Sequence, residues 1–316
     1  MKTRHPYWRR AGRIAFIAFL VVVTVLLVRY ARSIDWNAVA DAIAGYDAAT
    51  LAMAVALALS SYLIYGGYDL CARAYAHHAL SARRVMLIAA ICYAFSLNIG
   101  AAVGSAGFRY RLYSRSGLAV GTINRIVAFS VSSNWLGYLL LAGALFGTRS
   151  VALPADWKIG VAGLQALGVA MLATVLAYLI ACWWSHDRVF HVRGHHFRLP
   201  SPRLALLQLA LAAANWSAMA AILYLLLQYR VDYAMVLGVL LLGAVATAIA
   251  HIPAGIGVLE AVFIALLGQT VAQPQLVAAL LVYRAFYYLA PLIAASALYA
   301  AFEAKSRRSP HAARGM

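Results

Sequence analysis

Residues 85–107 read VMLIAAICYAFSLNIGAAVGSAG, and their length decides how the chain is laid out. The apolar part, Val85 to Leu97, is about 13 residues, or ~20 Å of helix at ~1.5 Å per residue, short of a hydrocarbon core of ~30 Å. It ends at Asn98, and Gly100, Gly104 and Gly107 follow at once. Arginines then come at Arg109, Arg111, Arg115 and Arg125. If the stretch crossed the membrane, this cluster would lie outside, against the preference of Lys and Arg for the cytoplasmic side. A re-entrant segment that turns back at the glycines keeps the cluster inside and is the preferred reading.

The composition around this stretch belongs to a membrane protein. Of 316 residues, 65% are hydrophobic and 11% charged, and the mean hydropathy is +0.81. Soluble domains carry about 25% charged residues, so a water-soluble enzyme is excluded. No polar linker interrupts the chain, which predicts one integral membrane domain over 1–316. About 14–302 are embedded, with cytoplasmic tails at 1–13 and 303–316. The 26 Lys+Arg against 9 Asp+Glu leave a net charge of +17. These cations lie between apolar segments, where they set topology and face anionic phospholipid headgroups rather than nucleic acid. Cys71, Cys92 and Cys182 have no metal or disulfide spacing and read as core residues.

The predicted path is an all-α polytopic bundle. A first span, Ile14–Val28, reads as retained, because Arg29 and Arg32 stand where a cleavage site would need small residues. Ile34–Asp47 has Trp36, Val39, Ile43 and Tyr46 at helical spacing and reads as an amphipathic surface helix. Further spans are expected near Leu51–Leu70, Thr122–Phe146, Ile159–Trp183, Leu204–Gln228 and Tyr233–Ala250. A short run, Ala261–Val271, and a long last helix, Gln275–Phe302, complete the path. That makes about eight crossings and one re-entrant segment, with both termini in the cytoplasm.

A second break, His251-Ile-Pro253-Ala-Gly255-Ile-Gly257-Val-Leu-Glu260, follows Ala250. Unwound backbone at membrane depth has to be buried in protein or line a polar cavity, and paired broken segments often flank a transporter's central site. Two glycine-cut loops turning tightly would read the same way. Ionisable residues add weight. Arg284 lies deep in the last helix, where a charge costs ~2.5–3.5 kcal/mol, and Glu260 is the nearest acidic candidate. The two either pair structurally or hold a ligand. Asp69 has Arg73 at i+4, a pair that would simply close a helix end. Arg109, just past the first glycine turn, is best placed to reach a phosphate.

Other chemistry has weaker signals. His186, His191, His195 and His196 sit in a basic loop, Ser185–Arg203. The i, i+4 spacing of His191 and His195 could seat a metal on a helix, but Gly194 and the flanking arginines favour a solvated loop. No catalytic residue or cofactor is expected: there is no nucleophile-elbow, zinc-protease or phosphate-loop motif.

Four motifs in order carry a family resemblance. They are Gly66-Gly-Tyr-Asp69-Leu-Cys-Ala-Arg73; Arg109-Tyr-Arg-Leu-Tyr-Ser114 with Gly117; Pro253-Ala-Gly255-Ile-Gly257-Val-Leu-Glu260; and Tyr283-Arg284-Ala-Phe-Tyr287-Tyr288-Leu-Ala-Pro291. The chain, from about 10 to 303, resembles the transmembrane family of lysylphosphatidylglycerol synthase/flippase proteins, in particular the flippase half of the multiple peptide resistance factor. The resemblance implies an inner-membrane protein that moves an anionic or aminoacylated phospholipid between leaflets. It points to Asp69, Arg109, Glu260 and Arg284 as substrate-binding positions. Asn98, Gly100, Gly104, Gly107, Pro253, Gly255 and Gly257 are the expected hinge positions. Bifunctional relatives continue into a soluble synthase domain. This chain stops soon after its last helix, so it is expected to depend on another protein for any modified lipid. The competing expectation is a non-transporting accessory subunit that docks a lipid-modifying enzyme through its basic loops, alone or as a homo-oligomer. A weaker third reading is an intramembrane lipid-modifying enzyme with Glu260 as its base.

Overall fold

The computed structural model describes residues 32, 34–150, 160–185, 189–192, 195–250 and 252–308. The predicted first span, Ile14–Val28, lies outside them, as do His186 and His251. The expected amphipathic helix is present as α1, Trp36–Ala44, started by the Asp35 carboxylate, which accepts from the amides of Asn37 and Ala38. Asp47 caps the next helix by accepting from the Thr50 amide at 2.9 Å. Two acidic residues off the apolar stripe of α1 thus serve as helix starts. Val39 and Ala42 seat α1 on Val277 and Ala278 of the last helix.

α2 spans Ala48–Ala76. α3, Ala82–Ile99, is 18 residues long, five more than the apolar run alone indicated, because Ala82, Arg83 and Arg84 extend it at the start and Asn98 and Ile99 at the end. It ends at Gly100, whose φ of +92° suits glycine. The chain then reverses through a π-helical stretch, Ala101–Gly107, into α4, Phe108–Arg115. The two arms touch backbone to backbone: a Cβ on Gly104 would collide with the Phe95 carbonyl and the Ser96 nitrogen. Both ends of this hairpin meet the same end of the last helix. Arg84 lies over the Phe302 ring at 5.4 Å, and Arg111 and Arg115 pair with Glu303. The segment therefore enters and leaves at one face, as the arginine cluster predicted.

Three long helices follow: α5 Val120–Gly147, α6 Val161–Ser185 and α7 Pro202–Leu226. Small residues let them approach closely, with Gly137 against Ala212 and Gly168 against Gly147. Between α6 and α7, the predicted basic loop holds a short antiparallel hairpin, β1 Val189–Val192 with β2 His195–Arg198. It pairs His191 with His196 across the ladder, so the i, i+4 helical seat for a metal does not form. Among the described residues no cluster of three or more His, Cys, Asp or Glu side chains could hold a metal. The Tyr75 hydroxyl donates to the Arg198 carbonyl at 2.6 Å, placing this hairpin at the same basic end as the tail of α2.

α8, Tyr233–Ala250, and α9, Val258–Leu267, are joined by the second break, where Ala254, Gly255 and Gly257 all have positive φ. The last helix runs from α10, Gln273–Arg284, through a π-helical turn, Ala285–Leu289, into α11, Ala290–Arg308. Seven of the described helices, counting the last as one, are long and apolar enough to cross a membrane, which fits an all-α polytopic membrane protein. Hydropathy along the sequence predicts α8 and the short run after it as two separate crossings. In the structure they form a second hairpin opening to the far end: Arg230, just before α8, donates to Gln275 at the start of α10 at 2.6 Å. The break reaches only Arg284, 11 residues into the last helix, or about 16 Å of rise. The physical reason is length, since the ten residues of α9 give only ~15 Å of helix.

Candidate functional site

The two hairpin tips meet at mid-depth. Gly100 and Ala101 of the first and Ala254 and Gly255 of the second line one chamber of about 550 Å³ between α5, α7 and α8. Each hairpin is tied to its surroundings by an arginine–carboxylate pair, and the two pairs differ in exposure.

Asp69 and Arg109 are fully buried, with Arg109 Nη2 donating to Asp69 Oδ1 at 2.8 Å. Arg109 Nε donates to both carboxylate oxygens, and its Nη groups reach the Ser105 and Ser130 hydroxyls. The Tyr113 hydroxyl donates to Asp69 Oδ2 at 2.8 Å. Tyr65 offers its ring to the guanidinium at 5.7 Å. The expected Asp69–Arg73 pair is replaced by this one. Burial explains the choice, because a carboxylate with no solvent access needs a partner that can be enclosed with it. Arg109 is consequently spent inside the protein and lines none of the chambers described here.

Glu260 and Arg284 are less enclosed, with side chains 17% and 13% exposed. Glu260, in the first turn of α9, accepts from the Gly257 amide at 2.8 Å and from Arg284 Nη2 at 3.1 Å. Arg284 also donates to the carbonyls of Ala254 at 2.9 Å and Gly255 at 3.1 Å. One guanidinium therefore satisfies both the carboxylate and the carbonyls freed by the broken backbone, which a lysine could not do. The pair lines a second chamber of about 370 Å³ with Asn98, Gly257 and Trp36. Ala254 and Tyr288 border both chambers, so they form the partition between them, and the Tyr288 ring lies 5.4 Å from the Arg284 guanidinium.

The predicted site residues thus fall into two places rather than one. Asp69 and Arg109 come together on the basic-end side, and Glu260 and Arg284 at the second break. Asn98 links the first hairpin to the last helix, donating to the carbonyls of Ala94 on its own helix and of Tyr288. Between the pairs lies a network absent from the sequence reading. Ser61 bonds Asn215 at 2.7 Å and Tyr287 at 2.6 Å, and Tyr287 bonds Tyr93 at 2.7 Å. Asn215, an amide inside an apolar span, was the available signal for it. Outside the membrane segments, His78 in the loop after α2 is held below its ordinary pKa, first by burial and then by Arg73, against an opposing pull from Asp69.

Comparison with known proteins agrees with this architecture. The family described as the lysylphosphatidylglycerol synthase TM region matches residues 14–295. The inner membrane protein YbhN of Escherichia coli (strain K12) is 46% identical over 309 residues, spanning 98% of this chain and 97% of that protein. An uncharacterized protein of Synechocystis, slr0712, is 31% identical over 311 residues, with 95% of each chain covered. The chain belongs to the lysylphosphatidylglycerol synthase transmembrane family, and it is a multi-pass membrane protein.

Proposed function

We propose that this member of the family is a non-enzymatic flippase of a bacterial inner membrane, with both termini in the cytoplasm, moving an anionic or aminoacylated phospholipid. The observation that carries the reading is the chamber between two opposed broken hairpins, with Gly100 and Gly255 in its wall. A headgroup would pass between the hairpin tips while its acyl chains stay in the bilayer. Arg284 supplies the coupling. Its bonds to the Ala254 and Gly255 carbonyls are charged at one end only, and a lipid phosphate, charged itself, makes stronger ones. Phosphate arriving at Arg284 would therefore compete the loop away from the guanidinium and open the partition at Tyr288. Glu260 keeps the arginine aimed while this exchange occurs.

The test is movement of headgroup-labelled phospholipid across proteoliposomes, with and without a proton gradient. Wild type is expected to accelerate movement over empty vesicles, and Arg284→Ala and Glu260→Gln to abolish the gain although both insert normally. Full transport by either variant would refute the site. Loss of function only on substitution of the basic-end loop arginines would favour the docking subunit instead.

A further inference from the structure

Four polar side chains on the wall of the central chamber have no hydrogen-bond partner among the described residues. Ser96, Asn134, Tyr138 and Thr247 all line it, and none of their side chains hydrogen-bonds to another described residue. This sets them apart from their neighbours in sequence type. Ser60, Ser133 and Thr174, also on membrane helices, bond back to the carbonyl four residues earlier at 2.8 Å, the usual way a hydroxyl is satisfied in a helix. Ser96 and Thr247 forgo that bond. Tyr138 is buried and Ser96, Asn134 and Thr247 are half-buried, so the four offer an occupant of the chamber donors and acceptors that the described residues leave unused.

Among the described lining residues there is no Asp, Glu, Lys, Arg or His. Glu260, in the adjoining chamber, is already engaged by Arg284 and the Gly257 amide. An ammonium group held here would lack a counter-charge, a heavy cost in a low-dielectric site. Hydroxyl groups need only donors and acceptors, which Asn134, Thr247, Ser96 and Tyr138 supply in both senses. Trp135, Tyr138 and Trp216 add an edge-to-face chain with centroids 5.7 and 5.9 Å apart, a surface against which a carbon backbone can lie.

Building on the flippase reading for its place on a lipid path, we propose that the central chamber recognises the uncharged, hydroxyl-bearing end of a headgroup, with Asn134 and Thr247 as specificity-determining residues. The substrate class is then a phospholipid of the phosphatidylglycerol kind, its phosphate toward Arg284, and not its aminoacylated or ethanolamine counterpart.

The experiment measures binding rather than movement, so that it stands apart from the transport test. Purified protein in detergent is titrated with phosphatidylglycerol, lysyl-phosphatidylglycerol and phosphatidylethanolamine of identical acyl chains, read by native mass spectrometry. Wild type is expected to favour phosphatidylglycerol over both others by about tenfold. Asn134→Leu and the near-isosteric Thr247→Val are each expected to weaken that lipid about fivefold, one neutral hydrogen bond's worth, and to leave the amine lipids unchanged. Equal or tighter binding of lysyl-phosphatidylglycerol would overturn the proposal. So would a uniform shift of all three lipids in the variants, which would mean that the four groups hold water only, or no binding at all by wild type. The expected binding pattern in a protein that moves no lipid would sink the flippase reading and leave this assignment standing.

Discussion

Replacing Asp69 with asparagine tests whether the buried pair anchors the first hairpin. The carboxylate accepts Arg109 Nε on both oxygens, Arg109 Nη2 at 2.8 Å and the Tyr113 hydroxyl at 2.8 Å, and neither partner of the ion pair touches solvent. Asparagine keeps the size but removes the charge, leaving a guanidinium sealed among Ser105, Ser130 and Tyr65. Breaking one side of an enclosed pair costs about 3–5 kcal/mol. Removing both charges together, as in Asp69→Asn with Arg109→Met, leaves no orphan and is expected to cost clearly less than Asp69→Asn alone. The assay is loss of helical circular dichroism on titrating detergent-solubilised protein with sodium dodecyl sulfate, for wild type, both single variants and the double. An Asp69→Asn variant within about 1 kcal/mol of wild type would refute the reasoning. So would a double variant whose loss equals the sum of the singles, since uncoupled residues add.

Gly104→Ala drives a methyl into the Phe95 and Ser96 backbone, whereas Gly121 has open space around it. The first is expected to destabilise by about 1–3 kcal/mol and Gly121→Ala far less, by the same unfolding assay. In a background with the three native cysteines replaced, Ala82→Cys and Ser116→Cys are expected to react with an impermeant maleimide from one side of the membrane. Gln228→Cys and Gln273→Cys are expected to react from the other, and labelling of either pair from opposite sides would refute its re-entrant assignment. His78 titrates below its ordinary pKa in the fold because burial and Arg73 disfavour its charge. The unfolded chain therefore binds its proton first, and stability is lost as pH falls through the ordinary histidine range near ~6.5. Between pH 7.5 and 5.5 the melting temperature of wild type is expected to fall further than that of His78→Phe.

What the sequence determined by itself were properties that accumulate along the chain. Hydropathy summed over a window marks membrane helices, and glycines at 100, 104, 255 and 257 mark where those helices break. The short run before Asn98 and the arginines after it favour the first re-entry, because length and the cost of moving charge across a bilayer are both local sums. The nearness of Glu260 and Arg284 was legible for the same reason: a deep arginine has to be answered, and few acids were in range. Tertiary structure alone decided which groups face each other. Asp69 chose Arg109, 40 residues away, over Arg73 on its own helix, because helix packing enclosed the first and not the second. The second hairpin was hidden because α8 has the length and hydropathy of a full span, and its depth is set by what its tip meets. The polar wall of the central chamber was hidden too. Ser96, Asn134, Tyr138 and Thr247 come from three different helices, and a hydroxyl's pattern in sequence is the same whether it bonds its own backbone or is left free for a ligand.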